Sequence, residues 1–154
     1  MAENVTITLD QVKSKIAEAF PTDVKFESKN RPRWLFMTAN KDALLKLCTM
    51  MKDTLGFDHC SCVSGVDRCD RFQTVYHICN CTDNVNAQIT VDIPHDEPEV
   101  DSVSNLWGGA NWHEREAYDM YGIIFKGHPK LERLLLPQDY TFFPMRKDCE
   151  TGRK

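Results

Sequence analysis

Apolar residues recur at helical spacing near the start of the chain. Leu9, Val12, Ile16 and Ala19 share one face of a helix that Thr8 and Gln11 can cap and Pro21 ends. The period then shortens to two: Val24 and Phe26 alternate with polar neighbours, and residues 34–38 are compact and apolar, so both read as strands. A second helix is expected with Leu44, Leu47, Cys48, Met51 and Leu55 on its apolar face, Asn40 or Asp42 at its start and Gly56 at its end. Strands follow at about 60–66, 71–80 and 87–93, with Asp83-Asn84 as a turn. Helix, strands, helix and meander together predict an α+β fold, a small mixed sheet with helices packed on it.

Beyond the meander the pattern changes. Residues 94–99 are acidic and bounded by prolines, a surface loop, and 102–107 suit one helical turn before Gly108-Gly109. Asn111 with Glu114 three residues on resembles a capping box for a third helix, which Gly122 ends. From there Gly127, Pro129, Pro137 and Pro144 leave only residues 130–136 as a short helical piece. The expected organisation is a compact α+β domain over 1–125 and an extended C-terminal tail over 126–154. Because that tail has apolar residues but little regular structure to bury them, it is expected to dock on partner subunits.

Composition narrows the functional classes. A chain of 154 residues with 42% hydrophobic content can build one real core. Its net charge of -4 and pI near 5.7 disfavour nucleic-acid binding. The longest apolar runs are four residues, far short of a membrane span, and residues 1–10 lack a secretory pattern. Seven cysteines in a chain without that pattern favour reduced thiols over a disulfide scaffold. Cys60-Ser61-Cys62 and Cys79-Asn80-Cys81 keep a Cys-rich metal-binding or redox accessory protein open as an alternative. Their spacing is not that of a zinc turn, and burial of Cys79 and Cys81 on the inner face of a strand is the plainer expectation.

The chemistry-bearing residues concentrate in one stretch, 111–148. His113-Glu114 hints at a zinc-protease motif, but Ala117 stands where the second ligand belongs. Glu114, Glu116 and Asp119 could serve acid–base chemistry in a small hydrolase. An ordinary role at a helix N-terminus, with Arg115 to Asp119 as an ion pair one turn apart, explains them more simply. His128 before Pro129 is held extended and reads as a turn-former. Trp112, Tyr118, Met120 and Tyr121 beside these charges suit a protein interface, where aromatics, Met and Arg are enriched.

The same stretch carries a family resemblance. Glu114-Arg115-Glu116, Asp119-Met120-Tyr121-Gly122, Gly127-His128-Pro129, Arg133-Leu134-Leu135-Leu136-Pro137 and Arg146-Lys147-Asp148 resemble the signature of the C-subunit family of respiratory complex I, the NADH:quinone oxidoreductase. That family includes related subunits of methanogen deazaflavin-dependent dehydrogenases and energy-converting hydrogenases. The resemblance implies a peripheral-arm component on the cytoplasmic side of the cell membrane, with no active site, metal or cofactor of its own. Iron–sulfur clusters, and flavin where present, would sit in partner subunits. Those partners would be the large quinone-site protein (D-like) and cluster-bearing subunits, which this chain would brace for electron transfer coupled to ion pumping. The interface residues implied are Glu114, Arg115, Glu116 and Asp119 as an ion-pair network and Trp112, Tyr118 and Tyr121 as anchors. His128, Pro129, Arg146, Lys147 and Asp148 would dock the tail.

Overall fold

The computed structural model describes residues 7–29 and 31–149. The first six residues, read above for a targeting signal, and the last five of the tail lie outside them. Helix α1, Leu9–Ala19, begins in the expected capping box: Thr8 Oγ1 accepts from Gln11 N at 3.3 Å and Gln11 Oε1 accepts from Thr8 N at 2.9 Å. Strands β1, Val24–Phe26, and β2, Trp34–Ala39, follow. A 3₁₀ turn at Lys41–Ala43 leads into α2, Leu44–Asp53. Neither Asn40 nor Asp42 caps α2: the Asn40 amide turns away to donate to Asp23 Oδ1 at 2.8 Å.

The meander is β3, His59–Asp67, β4, Arg71–Asn80, and β5, Val85–Pro94. The five strands form one sheet in the order β1-β2-β5-β4-β3, with β2 and β5 parallel and the other pairs antiparallel. The α+β class and mixed sheet therefore stand as expected. Along β4, buried and half-buried residues alternate without a break, as a sheet with one covered face requires. The covered side presents Phe72, Tyr76 and Ile78 to Val12 and Ile16 of α1 and Leu44, Leu47, Cys48 and Met51 of α2.

Two short parallel strands, β6, Glu99–Asp101, and β7, Ile124–Lys126, bracket α3, Ala110–Tyr121. Lys126 thus pairs with Asp101, so irregular chain begins at Gly127. Trp107 donates its indole N–H to Phe57 O at 3.0 Å, fixing the approach to α3, and α3 lies along the sheet's edge strand β3. There, Gly65 is required: a Cβ would sit 2.6 Å from the Tyr121 ring. Among the described residues no helix is long and apolar enough to cross a membrane.

Candidate functional site

Helix α3 does not start as the sequence suggests. Its N-cap is Gly109, with no side-chain cap, and Asn111 lies inside the first turn. Glu114, freed from capping, points inward and is fully buried. Its Oε1 accepts from Val103 N at 2.7 Å and its Oε2 meets Ser102 Oγ at 2.5 Å. Burial pushes this carboxyl up to about 7, against the pull of the Ser102 hydroxyl and the Val103 amide. Glu114 therefore stitches α3 to the β6 turn.

Asp119 is also fully buried, and Arg115 is not its partner. Arg133 reaches in from the tail and donates through Nη1 to Asp119 Oδ1 at 2.8 Å. The other oxygen, Oδ2, accepts three successive amides: Leu134 at 3.1 Å, Leu135 at 2.7 Å and Leu136 at 3.0 Å. Burial alone would raise this carboxyl, but Arg133 and the three amides outweigh it and hold it below the ordinary carboxylate range. Wrapping three N–H groups around one oxygen bends residues 133–136 into a turn, so the short helix expected over 130–136 does not form. Arg133 also donates Nη2 to Tyr140 O at 2.7 Å and Phe142 O at 3.2 Å, and its guanidinium lies 5.0 Å from the Phe143 ring centroid. The tail has little hydrogen bonding of its own, as its prolines dictate, and borrows it from α3.

Arg115 serves the same end. Its Nε and Nη2 donate to Glu132 O and Arg133 O, each at 3.2 Å. The expected network of Glu114, Arg115, Glu116 and Asp119 is thus not one network: each buried carboxylate binds a different segment, and Glu116 is exposed beside a groove of about 310 Å³ between β3 and α3. His128 forms a turn, as its place before Pro129 leads one to expect. Its Nδ1 accepts from Lys130 N at 3.0 Å, so Nε2 carries the proton towards Asn111 O at 3.2 Å. Burial first, and then the Arg115 charge, lower its pKa.

The basic end folds back on the domain. Arg146 donates to Tyr121 O at 2.5 Å and lies between the Phe72 and Phe143 rings, 5.0 and 4.8 Å from their centroids. Lys147 N donates to the buried Asp67 at 2.8 Å, while the Lys147 and Asp148 side chains stay exposed, as does Pro129. Tyr118 and Tyr121 are half-buried under Phe143 and over Phe72. Trp112 is 60% exposed, with the Arg115 guanidinium 5.2 Å from its ring centroid.

Arg133, a motif residue to which the sequence alone assigns no role, organises the tail. A lone arginine heading a three-leucine run was the available signal. Among the described residues one three-ligand grouping occurs, Asp67, His95 and Asp148, with ligand atoms within 4.8 Å of one another. The cysteines do not sit as expected: Cys79 is half-exposed and Cys81 exposed, whereas Cys48 and Cys60 are buried.

Comparison with known proteins places this geometry. Residues 37–154 match the family described as respiratory-chain NADH dehydrogenase, 30 Kd subunit. The chain is 39% identical over 134 residues to the C subunit of the F(420)H(2) dehydrogenase of Methanosarcina mazei, covering 85% of each chain. It is 34% identical to the C subunit of the NADH-quinone oxidoreductase of Roseiflexus sp., covering 97% of this chain and 86% of that one. A solved trypsin-resistant fragment of Nqo5 matches with a TM-score of 0.70 and 28% identity, covering 80% of this chain and 98% of the fragment. A chain of the membrane-bound sulfane sulfur reductase, an archaeal respiratory membrane complex, shares the fold at a TM-score of 0.80 and 23% identity, over 93% and 86% of the two chains.

Proposed function

Since the chain belongs to the 30 Kd subunit family of respiratory-chain NADH dehydrogenase, we propose that it is the cofactor-free brace of the peripheral arm in a complex I-like oxidoreductase. Membership makes it a component of a respiratory, membrane-bound complex. The finer reading is that it holds the quinone-site protein and the cluster-bearing subunits in register on the cytoplasmic side, so that electron-transfer distances are kept. The electron donor would be NADH, reduced deazaflavin or ferredoxin, oxidised at other subunits.

One contrast carries this reading. Asp119, Arg115, Arg133 and Arg146 of the signature hold the tail and Glu114 holds the β6 turn, while large apolar side chains are left outside. Trp112 is 60% exposed, Leu135 64% and Met145 54%, with Tyr140 and Phe142 also exposed. A chain would ordinarily bury such groups and leave its charges in water. The inverse suggests a rigid internal lattice that presents an apolar surface to a partner.

Trp112→Ala, Leu135→Asp and Met145→Asp test it. Exposed substitutions of this kind change the stability of the free chain by only about 0.5 kcal/mol. Association with the complex should fall at least tenfold, together with its donor-to-quinone activity. Variants that assemble and turn over like the wild type would remove this surface from the interface.

A further inference from the structure

The structure assigns Cys79 and Cys81 as a reversible dithiol–disulfide site that reacts with a low-molecular-weight disulfide such as glutathione disulfide. The two sulfurs are 3.7 Å apart, Cys81 is exposed and Cys79 is half-exposed. No assembly role in the preceding section depends on them.

The other Cys-x-Cys pair shows why this arrangement is specific. A β-bulge between Cys60 and Cys62 shifts the register of β3 against β4. Cys60 pairs with Ile78 on the buried side, whereas Cys62 pairs with His77 on the open side. Cys62 then hydrogen-bonds Ser64 Oγ at 3.1 Å. Burial pushes the Cys60 thiol up to about 12 and the Cys48 thiol higher still, so neither supplies a thiolate. At Cys79 no bulge intervenes. β4 ends at Asn80, whose buried side chain grips Leu55 O and Asp83 Oδ2. The residue between the two thiols is therefore pinned, and both sulfurs stay on one side of it.

A disulfide needs its sulfurs at about 2.05 Å and its Cα atoms within about 6.8 Å. Two residues span about 6.6 Å when fully extended, and Cys81 stands in the turn just past the end of β4, so the Cα atoms lie within that reach and a bridge can close by side-chain rotation. An exposed bridge is easily reduced, the property of a labile rather than a structural disulfide.

Either sulfur can open the exchange, and both orders close the same bridge, so the steps for Cys79 stand for both. The Cys79 thiolate attacks one sulfur of the reagent, forming a mixed disulfide and releasing one thiolate. Cys81 then gives up its proton and attacks the Cys79 sulfur, releasing the second. The protein dithiol loses two electrons and two protons, and the reagent's disulfide becomes two thiols.

The test exposes the full-length native chain to glutathione disulfide, quenches it in acid and maps the peptides without reduction. The peptide with both cysteines should lose two hydrogens and regain them with dithiothreitol. In Cys81→Ser the second step is blocked, and a glutathione adduct should collect on Cys79 at least tenfold above that on Cys48 or Cys60. The proposal falls if either sulfur of the wild type keeps a stable adduct or bridges to Cys62 or Cys69. It also falls if both stay unmodified while the exposed Cys69 reacts.

Discussion

Replacing Asp119 by alanine removes the point on which the tail turns. The carboxylate is fully buried, meets Arg133 at 2.8 Å and accepts three amides on its other oxygen. Deleting one member of a buried ion pair costs about 3–5 kcal/mol, because the remaining charge is left uncompensated. The three amides add less than three separate bonds would. Once the turn opens, they and Arg133 reach water, so the loss cannot exceed the free energy that docks the tail. At about 1.4 kcal/mol per tenfold, exchange of the Leu134, Leu135 and Leu136 amides should accelerate by roughly two to three and a half powers of ten. The β4 and β5 amides should change far less. Adding Arg133→Met should recover part of the loss, since it removes the stranded charge. Slow exchange at Leu134–136 in the Asp119→Ala chain, indistinguishable from wild type, would refute this account of the tail.

Other outcomes follow from the same lattice. The unfolded Glu114 carboxyl titrates near 4.5 and the folded one near 7, so over that window only the folded state holds the proton. Stability should therefore fall by roughly 3 kcal/mol as pH rises from about 4.5 to about 7, and Glu114→Gln should flatten that part of a melting-versus-pH series. The folded Asp119 carboxyl is depressed instead. Its contribution is present above the ordinary carboxylate range and is lost only as pH falls through the folded value, so acid should release residues 133–136, as measured by exchange at those amides. Gly122→Ala should loosen the tail as well. Its φ is +73° and a Cβ there would lie 2.7 Å from both Arg146 and Phe143, a strain of about 1–3 kcal/mol visible as a lower melting temperature and faster exchange near Arg146.

Local pattern was enough to determine α1, the strands of the meander and the end of α3. Thr8 and Gln11 form the capping box that their spacing announces, and the run rich in β-branched and aromatic residues from Arg71 to Asn80 makes β4. Gly122, at positive φ, stops α3 where a helix of L-residues needs a glycine. These features depend on neighbours within a few residues, so the sequence displays them directly. The family signature was equally legible, because its residues stand close together along the chain.

Partners of the charged residues were decided only by tertiary structure. At helical spacing, Arg115 and Asp119 should pair, and Asn111 should cap Glu114's helix. Burial overrides both. A fully buried carboxylate does not take the half-buried arginine one turn away, which is engaged by the tail carbonyls, and takes Arg133 and three amides from a segment fourteen to seventeen residues on. The cysteines diverge for a similar reason. Two pairs with the same spacing differ because a single bulge, fixed by pairing between β3 and β4, turns Cys60 inward and Cys62 outward, while Cys79 and Cys81 remain side by side. Register and burial are properties of the assembled sheet, and no window along the chain contains them.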